Sequence, residues 1–162
     1  MAATFTFAES YATIPTVVDP ATFLNFLATN TASGSDATTN TAAAPIVTTG
    51  STVYSYERWF RGHWVSTFTS VTSILFQKSA GTIPGTITVN AKNIGTSTYA
   101  TAVNTLSAGT ANITTNGTTV SDSSTLTSAG YSYYFVMQLT VPTGSTQGNI
   151  GTQTWQMGWN EV

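Results

Sequence analysis

Residues 55 to 66, SYERWFRGHWVS, hold three of the chain's ten charged side chains (Glu57, Arg58 and Arg61), its one histidine (His63) and two of its four tryptophans (Trp59 and Trp64). Three kinds of chemistry could use such groups. A histidine beside a carboxylate activates a serine, two carboxylates flanking a sugar hydrolyse a glycoside, and a histidine among acidic side chains holds a metal. Each needs partners that this sequence does not supply in any recognisable pattern. No Gly-x-Ser-x-Gly elbow accompanies the many serines. The other carboxylates, Glu9, Asp19, Asp36, Asp122 and Glu161, are scattered, mostly in turn-like stretches or near the ends, where capping and turn roles account for them. One histidine without cysteine makes neither a zinc nor a calcium motif. Gly95-Thr96 and Gly144-Ser145 lack the lysine spacing and following helix of a phosphate loop, and read as turns. No catalytic, metal-binding or cofactor-binding residue is therefore assigned.

The element that must position the SYERWFRGHWVS groups is a strand. With a period of two, Glu57, Trp59, Arg61, His63 and Val65 share one face, while Tyr54, Tyr56, Arg58, Phe60, Gly62, Trp64 and Phe68 line the other. The second face is aromatic and reads as core, with Arg58 as its one misfit. The row Glu57, Trp59, Arg61, His63 reads as a solvated sheet face or a candidate interface, with a cation–π contact or a cross-strand charge pair open to it. Trp155 and Trp159, four apart, fall on one side of a strand and are candidate surface aromatics of the kind that read sugars; core packing explains the same spacing.

Around this run the pattern is strand and turn. Thr4-Phe5-Thr6-Phe7 alternates, and residues 11 to 18 extend or pair with it. Asp19-Pro20 is a helix start, and Phe23, Leu24, Phe26 and Leu27 recur at helical spacing, which predicts a short helix over about residues 20 to 28. Residues 29 to 45 carry no periodicity and read as a long polar loop or an arm. Strands follow at 54 to 68, 71 to 76, 86 to 89, 131 to 141 and near 154 to 159. Ile113 and Val120 flank TTNGTT, whose Asn116-Gly117 pair predicts a two-residue hairpin turn. The expected fold is all-β: an antiparallel β-sandwich, jelly-roll-like, with one short helix near the N-terminus. Residues 1 to 50 form its N-terminal strand, helix and loop, and residues 51 to 162 the sandwich, in one structural domain.

Composition narrows the function. Charged residues are 6% of the chain, against roughly 25% in an ordinary soluble domain. Thr and Ser make up about a third of it. A 41% hydrophobic and 12% aromatic content still provides a core. Four Lys and Arg against six carboxylates give no charge basis for binding nucleic acid. Neither a signal peptide nor a membrane-spanning run is evident, which predicts synthesis in the cytoplasm and no membrane partner. A Thr-rich surface with little charge suits a subunit that meets neighbours on several sides in a large assembly.

The run YSYERWFRGHWVSTFTSVTSILFQKSAG, followed by GTSTYAT and YYFVMQLTV, resembles the minor virion proteins of tailed bacteriophages, small Thr-rich β-sandwich proteins with a Tyr-Glu-x-Trp-x-Arg strand. The resemblance covers roughly residues 50 to 141, and residues 1 to 50 depart from it. It implies a non-enzymatic structural protein of the virion, a capsid decoration or cement protein that stabilises capsomer contacts. Its partners would be the major capsid protein or other virion proteins, and it would form a homo-oligomer at symmetric positions. A tail or fibre component and a carbohydrate-binding β-sandwich module are the alternatives.

Overall fold

The computed structural model describes residues 3–22, 24–32, 46–48, 50–65, 67–145 and 150–162. The described residues form β1 (Thr4–Tyr11), β2 (Thr16–Val18), β3 (Val53–Tyr54), β4 (Arg58–Val65), β5 (Val71–Ala80), β6 (Thr88–Asn93), β7 (Ala111–Asn112), β8 (Thr119–Asp122), β9 (Gly130–Tyr131), β10 (Phe135–Val141) and β11 (Thr154–Glu161). They make two antiparallel sheets. The larger runs β2-β1-β4-β10-β6-β7, with β3 on β10 and β9 on β4; the smaller runs β11-β5-β8. Successive long strands β4, β5, β6, β8, β10 and β11 alternate between the sheets, so the core closes only when distant segments meet.

Alternation places the core between the sheets. The register Phe5↔Trp64, Phe7↔Gly62 and Phe135↔Phe60 puts one apolar row of the large sheet on its inner face. Phe60 meets Phe76 of the small sheet at a ring-centroid distance of 4.6 Å, and Phe76 lies 5.8 Å from Phe135. Val71, Ile74, Phe76 and Met157 fill the opposite side. Val71 and Ile74 are three apart, yet both are buried, which a regular strand would forbid. A bulge resolves this. Gly158 pairs with Leu75 and Asn160 with Thr72, so the register slips at Ser73, whose φ is 54°, and both apolar side chains turn inward.

Arg58, the misfit on the aromatic face, lies at the end of the core opposite Met137 and is fully buried. Its Nη1 is 3.4 Å from Glu9 Oε1 and donates to the Thr31 carbonyl at 2.5 Å; Nη2 donates to the Thr29 carbonyl at 3.0 Å. Burial lowers the Arg58 pKa from its usual range, and the charge and hydrogen bond of Glu9 oppose that shift.

Two local expectations are corrected. The described part of residues 20–28 contains no helix; Phe23 lies outside the described residues, as do residues 33–45 of the expected loop. The segment is instead tied to the sandwich by tertiary hydrogen bonds: Ala21 N–H donates to the Phe7 carbonyl at 2.7 Å and Tyr56 N–H to the Leu27 carbonyl at 3.0 Å. Leu27 is buried without helical geometry, and a segment this short has little intrinsic helical stability to set against those bonds. Asn116-Gly117 is a turn, with Thr118 N–H donating to the Thr115 carbonyl at 3.3 Å and Gly117 at φ 83°. It is not a hairpin. The preceding β7 pairs with β6 in the large sheet and the following β8 pairs with β5 in the small one, so the turn carries the chain between sheets.

Candidate functional site

The strand β4 presents Trp59, Arg61 and His63 on the outer face of the large sheet, where they pair across with Ser10, Ala8 and Thr6 of β1. The row divides in two. Glu57, just before β4, and Trp59 are buried beneath the long connection of residues 94–110. The Glu57 carboxylate accepts hydrogen bonds from Trp59 Nε1 at 2.9 Å, from Val103 N–H at 3.3 Å and from the Ser107 hydroxyl, while Glu57 N–H donates to the Val103 carbonyl at 2.9 Å. A carboxylate taken from water requires such donors, and here most of them belong to the segment that covers it. Trp59 packs edge-on against Tyr99 and Tyr134 at 5.2 and 5.6 Å, forming a second small core with Ala102 and Val136. Gln138 of β10 adds Nε2 hydrogen bonds to the carbonyls of Ser55 at 2.8 Å and Thr105 at 3.1 Å. Glu57 and Trp59 are thus fastenings of the 94–110 segment.

Arg61 and His63 are half-exposed and meet two residues that the sequence did not single out for this face. Tyr131 of β9 stacks on the His63 ring at 4.1 Å and 16°, and the Arg61 guanidinium carbon lies 3.9 Å from the Tyr131 centroid and 4.6 Å from that of Tyr134. Asp19 completes the group. Its Oδ2 is 2.6 Å from His63 Nδ1 and accepts from the Tyr131 hydroxyl at 3.0 Å, while Oδ1 accepts from Thr6 Oγ1 at 2.9 Å. Burial first, then the hydrogen bond and charge of Asp19, push the Tyr131 hydroxyl above its usual pKa. The pattern Asp19-Pro20 suggested a helix cap; the register Glu9↔Val18 and Thr6↔His63 instead delivers Asp19 to the histidine. No short-range sequence signal could have paired them.

An aspartate-oriented histidine is two-thirds of a nucleophile-activating set. The third part is not formed: the Thr6 and Tyr131 hydroxyls both donate to Asp19, and among the described residues none is hydrogen-bonded to His63. No group of three or more His, Asp or Glu with metal-binding geometry occurs among the described residues. Five of the six carboxylates lie in the described residues, and each accepts internal hydrogen bonds or an ion pair, from Arg58 to Glu9 through to Ala3 N–H donating to Glu161. What the outer-face arrangement does is hold a planar cation and an imidazole rigidly against tyrosine.

Trp155 and Trp159 lie on the inward side of β11 with Met157. Trp155 stacks on Phe76 at 5.6 Å and 20°, and Trp159 meets Phe5 at 5.0 Å and Trp64 at 5.5 Å. Both indoles border the core and give no paired platform on an open face. Tyr131, the more exposed ring, has Arg61 and His63 packed on it. Among the described residues no helix is long and apolar enough to cross a membrane. In comparisons with known proteins, no family model, no curated protein and no solved structure matches this chain.

Proposed function

We propose that this chain is a non-enzymatic structural protein of a virus particle, a decoration or cement protein that docks on the major capsid protein and stabilises contacts between capsomers. The observation that carries the reading is the outward face of the small sheet. Leu75, Gln77, Thr119, Ser121, Gln156 and Asn160 share it across β5, β8 and β11, and none carries a charge. Hydroxyl and amide side chains are weakly penalised on desolvation when the partner returns their hydrogen bonds, so such a face suits burial against a neighbour. The strands β8 and β11 are also the edges of that sheet, with backbone groups available for pairing. Many modest contacts, repeated at symmetric positions, sum through avidity.

The internal use of the carboxylates and the resemblance of residues 50 to 141 to tailed-phage virion proteins support the same reading. Alternation of successive strands between the sheets supports the jelly-roll-like form of the sandwich. The deciding experiment compares particles assembled with and without the protein. Undecorated particles should lose integrity at lower temperature and in low salt, and adding back the purified protein should restore resistance. Equal resistance without it, or a label found only on the tail, overturns the capsid assignment.

A further inference from the structure

Of the four Lys and Arg, three hydrogen-bond within the molecule, although Arg58 Nε is also buried without an acceptor. Arg58 is held by Glu9 and the Thr29 and Thr31 carbonyls, Lys78 by the Gly81 carbonyl and Asn116, and Lys92 by the Ala108 carbonyl. Arg61 is the exception. Among the described residues it makes no hydrogen bond or ion pair; only Nε is both buried and without an acceptor, and the Nη atoms are left at the surface. Asp19, which holds the same Tyr131, has its oxygens engaged by Thr6, His63 and Tyr131.

The guanidinium is nevertheless held in place. Tyr131 and Tyr134 lie 3.9 and 4.6 Å from its carbon, and both rings are themselves fixed, Tyr131 by Asp19 and Tyr134 by a 2.8 Å hydrogen bond with Ser10. Cation–π contacts use the face of a guanidinium and leave its edge donors free for a planar acceptor. Two parallel N–H donors match a carboxylate, and pre-ordering reduces the entropy lost on binding.

The geometry points to Arg61 as a carboxylate-binding subsite that receives an Asp or Glu side chain of a capsid protein neighbouring the large-sheet face. This rests on the docking role proposed above and adds a second contact, on the large-sheet face opposite the small-sheet face described there.

Two measurements test the subsite and the role separately. In the first, sodium acetate is titrated into the whole protein at constant ionic strength while the arginine Nε–Hε signals are followed by NMR. The Arg61 signal should shift and saturate while that of Arg58 stays put; an unmoved Arg61 signal overturns the subsite. In the second, binding to undecorated particles is compared for the parent, Arg61→Lys and Arg61→Met. Arg61→Met should weaken binding about tenfold, less than breaking a fully desolvated pair because Arg61 is half-exposed, and flatten its salt dependence. Arg61→Lys, which keeps the charge but loses the fork, should fall between. Parent-like binding by Arg61→Met overturns the carboxylate contact while leaving the docking role standing. Failure of the parent to bind overturns the docking role and with it the partner named here, whereas the acetate titration still decides whether Arg61 binds carboxylates.

Discussion

Trp64 lies over Gly62, two residues earlier on the same face of β4, so closely that a Cβ on Gly62 would sit 2.4 Å from Cζ3 and Cη2 of the indole and 2.8 Å from Met157 Sδ. The glycine is a packing requirement. Its absent side chain is the space that lets a fully buried tryptophan lie flat between the sheets. Gly62→Ala should therefore destabilise the fold by about 1–3 kcal/mol, the range for overpacking a filled core. Urea unfolding followed by tryptophan fluorescence measures this, and a variant within a few tenths of the parent would show that the indole has room to move.

Glu57 is the carboxylate under the 94–110 segment, and its donors come from that segment and from Trp59. Glu57→Gln places an amide NH2 where donors already converge, so at least one of them loses its acceptor. The expected cost is about 1–3 kcal/mol, the penalty for an unsatisfied buried polar group. Because the bond is local, hydrogen exchange should accelerate first at Val103 and its neighbours, with strand β10 changing only as global stability falls. Uniform acceleration across the sandwich would contradict a fastening role.

Arg58 and Glu9 form a buried ion pair, and each offsets part of the other's desolvation cost. Arg58→Met alone leaves Glu9 buried with one partner fewer and also frees the Thr29 and Thr31 carbonyls. A loss of about 3–5 kcal/mol is expected, as for breaking a buried pair. Adding Glu9→Gln should recover part of it, since the double variant buries no unpaired charge. Additive losses in denaturant unfolding would argue that the pair is not coupled.

These positions show where the sequence was legible. A period of two correctly assigned Phe60 and Trp64 to the core side of β4, because alternation depends only on the strand itself. It could place Glu57 and Trp59 on the other face, but not foresee what covers that face, since residues 94–110 contact it from forty residues away in the chain. The helical spacing of residues 20–28 was real as a pattern, but so short a segment has little helical stability of its own, and it is anchored to the sandwich at Ala21 and Leu27 instead. Asn116-Gly117 marked a turn, yet the residues of a turn do not report which sheets its flanking strands join. The cluster of Asp19, His63 and Tyr131 was illegible for the same reason: it is made by strand register, which no local rule supplies.

Tyr131 makes that cluster sensitive to alkaline pH. Its hydroxyl is pushed up by burial and by the hydrogen bond and charge of Asp19, so the folded state keeps the proton longer than the unfolded chain does. Between the ordinary tyrosine value of about 10 and the raised one, the unfolded state has lost a proton that the native state retains, and linkage then makes stability fall as pH rises. The stabilising contribution is complete below the ordinary value and is lost as pH passes through the raised one. Replacing Asp19 by Asn removes the negative charge while keeping an acceptor, so Tyr131 should ionise at lower pH and the alkaline decline in stability should become shallower. Carbon-13 NMR of labelled tyrosine resolves the seven side chains, and the Tyr131 signal should titrate later in the parent than in Asp19→Asn. Superimposable titrations would show that Asp19 does not set the ionisation of the ring on which Arg61 and His63 are packed.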